Sequence, residues 1–376
     1  MANFLINGLK SKTGGGKSIL NNYLSLLKNS QSKHQFFVLT PNELDYLQYA
    51  CDFIHIINVN KIYKWNIFFP LTYHYLMPKL LRDFNIDAIF NLGDIVIPTN
   101  IPQVYLFDWP YAVYPDSIVW NTMDARSFFE RRIKLYIFKK YINRTTIVIA
   151  QSETMKAKLE DLYGLKKIAV IPNAVSLENL DGGEYYNFEL PRDKFKCLYL
   201  TYYYSHKNIE IFIPLAKKIQ EKNLPFSLVV TIAPTQHKKA KQFLNIIKKE
   251  HLADTIINVG PVPMTRVPSL YAQTDALLMP TLLESFSGTY VEAMYHGKPI
   301  MTSNLDFAID VCGAAAYYFD PLDADSILIA INDIFQNEKL RLQKIGYGRA
   351  KLQKMLCWEE AFVKYHQLLE NVSRNR

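Results

Sequence analysis

Cysteine is scarce and scattered in this chain: Cys51, Cys197, Cys312 and Cys357 lie far apart and form no C-x-x-C pair. That spacing argues against a disulfide framework and a zinc site, and suits a reducing compartment. The eight histidines include no H-E-x-x-H or other close pair, so no catalytic metal is indicated. No stretch approaches the roughly 20 apolar residues needed to cross a bilayer. The start, MANFLINGLKSK, lacks a charged beginning followed by a long apolar core. The expectation is a cytoplasmic protein, neither exported through a signal peptide nor integral to a membrane. Internal repeats and low-complexity tracts are also missing.

Acid is in short supply as well, leaving a net charge of +8 over 376 residues. Such a length exceeds one ordinary core and points to two domains. The positive balance suits anionic partners: nucleotide phosphates, nucleic acid or an acidic membrane face. The imbalance peaks in RSFFERRIKLYIFKKYINR, residues 126–144, where seven basic residues face the single acid Glu130. Aromatic and aliphatic residues are interleaved there. A helix of this composition either lies on anionic lipid or turns a core face inward and a basic face to water. Nucleic-acid grooves mix the same residue types, but no RNA-binding motif accompanies this one.

Apolar runs of strand length alternate with helix-length segments, as in parallel sheets covered by helices. NFLINGL, HQFFVLT, FIHIIN, AIFNL, QVYLF, TIVIA and IAVIP read as strands in the first half. CLYLTYY, SLVVTI, TIINVG, ALLMP, PIMTS and AAYYF read as strands in the second. Between them the polar, acidic stretch SLENLDGGEYYNFELPRDK, residues 176–194, breaks the alternation and reads as a linker. The expected division is a first α/β domain over 1–178, a linker over 179–194 and a second domain over 195–357. A last helix, 358–376, is able to pack on either one.

SKTGGGKS, residues 11–18, sits where the first strand turns into a helix, a place whose backbone amides favour phosphate. The P-loop pattern fails at Ser11, which stands where its first glycine belongs. Asp94, ending IDAIFNLGD, is the candidate acid for a P-loop ATPase. The glycines could equally serve only to let strand and helix approach.

The most informative stretch is LMPTLLESFSGTYVEAMYHGKPIMTSN, residues 278–304. A strand ends at Pro280, Glu284 follows, then a small-residue turn and a helix carrying Glu292. A helix starting near Ser287 offers amides of Gly288, Thr289 and Tyr290 to an anion, with Ser285 or Ser287 as cap. Glu292, about a turn inside, can accept from ribose hydroxyls. Asp323 and Asp325 in FDPLDADS form a D-x-D, but they precede an apolar helical stretch and read as a cap and an early-turn charge rather than metal ligands.

Glu284 and Glu292, eight apart around S-F-S-G and followed by EAMYHGKPIMTSN, resemble the E-x7-E signature of glycosyltransferase family 4 (group 1), the retaining GT-B enzymes. VIPNAV at 170–175 resembles that family's hinge segment, and NVGPVPMTRVPSLYAQTDALLMPT its lead into the acidic motif. CGAAAYYFDPLDADSI resembles the family's segment C-terminal to that motif, and CWEEAFVKYHQLL its terminal helices. The resemblance implies two Rossmann-like domains facing a central cleft, a nucleotide-sugar donor held mostly by the second and an acceptor held mostly by the first. It implies Glu284 on sugar hydroxyls, Glu292 on the ribose, Lys207 on the diphosphate, and amides of Gly15, Gly16 and Gly288 near the phosphates, with Ser287 and Thr289 beside them. Lys17 gains no role from it.

Two departures stand out. LTYYYSHKN keeps Lys207 but puts Tyr202 where the family carries an arginine, so that Tyr202, His206 or the glycine loop must compensate for the lost charge. Asp108 in PQVYLFDWPYAVYPD stands where many relatives have a histidine, and reads as either a hydroxyl-positioning group or base, or a turn residue before Trp109. The expected function is metal-independent, retaining transfer of a sugar from a nucleotide sugar to a glycan or lipid-linked glycan in cell-surface polysaccharide, lipopolysaccharide or capsule synthesis. Peripheral contact with an anionic membrane through 126–144 goes with it. A non-catalytic nucleotide-sugar- or glycan-binding relative and a P-loop ATPase are the alternatives.

Overall fold

In the computed structural model, which describes residues 1–12, 14–64, 69–93, 95–174 and 184–374, the apolar runs of the first half become seven parallel strands. They are β1 (Asn3–Asn7), β2 (Gln35–Leu39), β3 (Ile54–Ile57), β4 (Ala88–Asn91), β5 (Gln103–Leu106), β6 (Ile147–Ala150) and β7 (Ile168–Val170), in the order β3-β2-β1-β4-β5-β6-β7. The second half forms a six-stranded parallel sheet of β8 (Phe195–Tyr199), β9 (Phe226–Val230), β10 (Ile256–Asn258), β11 (Ala276–Met279), β12 (Ile300–Ser303) and β13 (Ala316–Phe319), ordered β10-β9-β8-β11-β12-β13. Each run expected to be a strand contains or overlaps one. They were legible because helices cover both faces of a parallel sheet, so its strands are apolar on both sides.

The first sheet shows how alternation serves two layers. Phe4 and Ile6 of β1, with Phe36, Val38 and Phe90, pack under helix Gly14–Asn29 through Ile19, Leu20, Tyr23, Leu24 and Leu27. Leu5, Leu39 and Ile89 point the other way, into a cluster with Tyr73, Leu76, Met77, Leu80 and Leu81. The first of these layers is completed from the far end of the chain: Trp358, Ala361, Tyr365, Leu369 and Val372 of helix Trp358–Arg374 join it.

Backbone proximity divides the chain into two units, 1–115 with 124–174 and 356–376, and 116–123 with 175–355. The segment 116–123 is held in the second unit by, among others, the Lys239 ammonium on the Thr122 carbonyl at 2.6 Å. Of the linker stretch, 176–183 lie outside the described residues. Its later part is not a loose tether. The Tyr186 amide donates to Ser269 Oγ at 3.1 Å, the Phe188 amide to Gln273 Oε1 at 2.9 Å, and Glu184 pairs with Arg266 at 3.2 Å. These bonds fasten it to helix Val267–Gln273.

The basic segment is helix Ala125–Tyr141, capped by Asp124, whose carboxylate accepts the Ser127 amide at 2.9 Å. Leu135, Phe138 and Tyr141 are buried, as a core face requires. Its outer side is not simply solvated charge: Phe129, Ile133 and Tyr136, one above the other at helical spacing, are 60 to 67 % exposed. Among the described residues no helix is long and apolar enough to cross a membrane.

Candidate active site

In an open parallel sheet, ligands collect beyond the carboxyl ends of the strands, where the winding reverses and two neighbouring loops part. In the second sheet that place lies between β8 and β11, each continuing to a different side. Lys207 follows β8 and Glu284 follows β11. Their side chains meet there as an ion pair, both largely shielded from water.

The two loops are fastened to each other by backbone and hydroxyl bonds. The His206 carbonyl accepts the Leu282 amide at 2.8 Å and the Thr281 hydroxyl at 3.2 Å. The buried Tyr199 hydroxyl donates to the Lys207 carbonyl at 2.8 Å. Asn208 adopts a left-handed φ of 54°, which asparagine tolerates better than most residues. From there its amide reaches the carbonyls of Pro280 at 3.2 Å and Pro321 at 2.8 Å. Lys207 and Glu284 therefore sit on a braced frame.

Helix Gly288–Tyr295 begins just beyond Glu284. Ser287 occupies the cap position, but its side chain makes no capping bond. The Tyr290 amide, expected to be offered to an anion, instead donates to the Ser287 carbonyl at 3.2 Å, closing a tight first turn. The amides of Gly288 and Thr289 remain at the helix mouth. A Cβ on Gly288 would meet nothing within 4 Å, so a ligand can approach its backbone closely. One turn in, Glu292 is held by the buried Tyr271, whose hydroxyl lies 3.3 Å from Glu292 Oε2. Burial pushes the Glu292 carboxyl up to about 7, and the Tyr271 bond pulls only weakly the other way.

Tyr202, in the place of the expected arginine, is 47 % exposed, and Tyr204 beside it is also at the surface. Between them Tyr203 turns inward, stacks on His237 and bonds Glu210 through its hydroxyl. The structure thus gathers Lys207, Glu284, His206, Ser287, Gly288 and Thr289 at one edge of the second unit, with Glu292 a turn deeper. The Asp323 carboxylate caps helix Ala324–Gln336 through the Asp325 amide at 2.8 Å, and Asp325 pairs with Lys218 at 2.8 Å.

In the first unit the winding reverses between β1 and β4, and the glycine run follows β1. Gly14, Gly15 and Gly16 are not a free loop but the opening turn of helix Gly14–Asn29. Gly14 needs its positive φ of 58°, and Gly15 is exposed with nothing within 4 Å of a would-be Cβ. Lys17 lies exposed on that helix. Close approach of strand and helix is served by Gly8, which sequence reading passed over: a Cβ there would come within 2.6 Å of Leu20 Cδ2 and 3.0 Å of the Leu39 carbonyl. Also unanticipated, the ammonium groups of Lys10 and Lys12 both reach the Lys64 carbonyl at 3.3 Å, drawing positive charge together on the same connection. Asp108 follows β5, half-buried, just before Trp109, over whose ring the Lys134 ammonium sits at 4.2 Å. Asp94 lies outside the described residues.

Two family models match the chain: Glycosyltransferase Family 4 over residues 21–179 and Glycosyl transferases group 1 over residues 187–351. The chain belongs to this glycosyltransferase family. It is 25 % identical to the O-antigen chain mannosyltransferase RfbU of Salmonella typhimurium over 226 residues, 59 % of this chain and 58 % of that one. The match thus spans less than two thirds of that relative's length. Sucrose-phosphate synthase from Thermosynechococcus elongatus superposes with a TM-score of 0.75 over all of both chains at 14 % identity. Anabaena HepE in complex with UDP-glucose does so with a TM-score of 0.71, covering 99 % of this chain and 100 % of that one, also at 14 % identity. The fold is GT-B, with two parallel-sheet α/β domains.

Proposed function

We propose that this protein moves a sugar, with retention at its anomeric carbon, from a nucleotide sugar to a glycan or lipid-linked glycan in the synthesis of a cell-surface polysaccharide. The observation that carries the reading is the Lys207–Glu284 pair on its braced loops beside the open mouth of helix Gly288–Tyr295. A cation, a carboxylate and outward amides within one edge suit a sugar diphosphate: amides and ammonium for the phosphates, carboxylate for sugar hydroxyls. The relatives' names support the product class, since RfbU is an O-antigen chain mannosyltransferase.

In the proposed reaction the bond from the anomeric carbon to the diphosphate oxygen breaks as the acceptor oxygen closes on the same face. The acceptor proton passes to the departing phosphate oxygen. Negative charge grows on the diphosphate, so Lys207 and the Gly288 and Thr289 amides stabilise the transition state more than the bound donor. Arriving phosphate draws Lys207 off Glu284, which then accepts from sugar hydroxyls. Glu292 accepts from the ribose. Charge on the diphosphate is met by side chains and amides, and no metal is required. In the first unit, Gly15 and Gly16 offer amides and Asp108 positions a hydroxyl. His206 and the amides at the helix mouth meet the phosphate charge in place of the missing arginine.

Incubation with UDP-, GDP-, ADP- and CMP-sugars tests the reading. Release of nucleoside diphosphate from one of them is expected; Glu292→Ala should weaken that nucleotide's binding and Lys207→Ala should lower turnover about a hundredfold, as loss of an electrostatic stabiliser does. Unchanged affinity and rate in both variants would sink the assignment. The exposure of Tyr202 where a cation is usual favours a second reading, a nucleotide-sugar-binding relative without transfer, and tight donor binding with no diphosphate release would establish it.

Helix Ala125–Tyr141 suits a peripheral membrane contact, its exposed Phe129, Ile133 and Tyr136 entering the interface while Arg and Lys side chains meet anionic headgroups. Co-sedimentation with vesicles is expected to be stronger for anionic than for neutral lipid.

A further inference from the structure

The connection after β8 carries four ring-bearing residues, Tyr202, Tyr203, Tyr204 and His206, whose rings are sorted by side. Tyr203 is buried, stacked 5.2 Å from His237 with planes 8° apart, while its amide donates to Gln236 at 3.0 Å. The backbone at Tyr204 is extended, so Tyr202 and Tyr204 share the side opposite Tyr203, and His206, in the tight turn Ser205–Lys207 that follows, stacks on Tyr204. They form a ladder there: Tyr202 and Tyr204 have ring centroids 5.2 Å apart at 40°, and Tyr204 and His206 5.3 Å apart at 10°. Its lower rung, His206, immediately precedes Lys207, which pairs with Glu284, and its upper rungs are open to water, Tyr202 by 47 % and Tyr204 by 38 %. Leaving two large rings side by side yet wet forfeits burial that an ordinary loop would seek, and such exposure marks a binding surface.

We propose that this ladder is a stacking platform for a pyranose ring, extending the sugar site from Glu284 outward. The axial C–H bonds presented by a face of a pyranose carry partial positive charge, which complements the negative face of an aromatic ring. The equatorial hydroxyls point sideways, within reach of the phenol groups and of His206. A purely apolar partner would gain nothing from the adjoining ion pair, whereas a saccharide uses both. The reading rests on the proposed glycosyl transfer and names what its substrate touches beyond the carboxylates. Tyr202 then does different work from an arginine in its place: it trades charge on the phosphates for grip on a ring.

The pyranose can belong to the donor or to the acceptor glycan, and the experiment separates them. Tyr202→Ala, Tyr204→Ala and Tyr204→Trp are compared with the unchanged protein for binding of UDP, GDP, UDP-glucose, GDP-mannose and an α-mannotetraose, by calorimetry and saturation-transfer NMR, with melting temperature as a control on folding. Each alanine change is expected to weaken a sugar-bearing probe by about tenfold, or about 1.4 kcal/mol, with the bare nucleotide unaffected, and the tryptophan to keep or tighten binding. Loss with nucleotide sugar assigns the donor ring; loss with mannotetraose alone assigns the acceptor. Equal loss for a nucleotide and its sugar would mean that base or phosphate stacks there, overturning the platform. No loss with any probe overturns it too, while leaving glycosyl transfer intact if nucleotide sugar still binds. A protein that binds none of the five and cleaves none of the four nucleotide-sugar classes sinks both.

Discussion

Glu292 is the residue at which the proposed binding role and folding pull in opposite directions. Its carboxyl is pushed from 4.5 to about 7 by burial. The folded chain therefore holds a proton between those values that the unfolded chain has released, and stability falls as pH rises through that window. The cost at pH 8 is about 3 kcal/mol by linkage. Glu292→Gln removes the titration and keeps the acceptor for the Tyr271 hydroxyl. It is expected to raise the melting temperature at pH 8 while having little effect at pH 4, and to weaken nucleotide binding. If ribose hydroxyls donate to this carboxylate, nucleotide affinity in the unchanged protein rises between about pH 6 and 8 as it ionises, which calorimetry across that range reads directly. The pairing of Lys207 with Glu284 was not legible from the sequence, which gives each a ligand but not a relation to the other: 77 residues separate them, and only the juxtaposition of β8 and β11 brings them together. The E-x7-E spacing was legible because a turn and one helical turn carry it locally.

Elements show where local pattern suffices and where packing overrides it. The strands and helix Glu153–Tyr163 announce themselves, the latter by Ser152, which caps it through the Met155 amide at 3.2 Å, and by Gly164, left-handed at φ 64° past its end. The glycine run reads two ways because a helix opening and a phosphate loop share composition, while Gly8, one glycine in an apolar run, gave no signal of the close contact it permits. Gly8→Ala should cost about 1–3 kcal/mol by overpacking against Leu20 and the Leu39 carbonyl. Gly15→Ala, with open space at its Cβ, should leave stability nearly unchanged, as denaturant unfolding of the two variants would reveal. In helix Trp358–Arg374, Leu369 is wholly buried on the first sheet. Leu369→Ala is expected to cost about 2–5 kcal/mol, and a change within about 0.5 kcal/mol, the range of ordinary surface substitutions, would contradict that packing.

At the scale of the whole molecule, alternation of strand and helix predicted two sheets, and two sheets are present, each with its winding reversed beside its first strand. The reversal was not readable from strand order along the chain, since nothing in β1 or β8 announces which neighbours it takes. The membership of 116–123 in the second unit is of the same kind, a matter of contacts across more than a hundred residues, such as Lys239 on Thr122. Net charge is readable at once, and the +8 balance sets an expectation. Binding to anionic vesicles through helix Ala125–Tyr141 should fall steeply between about 50 and 300 mM salt as the Debye length shrinks. Replacing Phe129, Ile133 and Tyr136 by serine should abolish what survives at the higher salt. Vesicle binding indifferent to both salt and these three side chains would discard the contact.

Helix Trp358–Arg374 closes a layer whose other members begin at Phe4. A ribosome that has made the whole first sheet has still not made its cover, and Phe4, Phe36 and Phe90 stay without part of their shelter until residue 374 emerges. The amino-terminal sheet is thus completed only by the far end of the chain, and a nascent chain stalled before residue 358 lacks that cover.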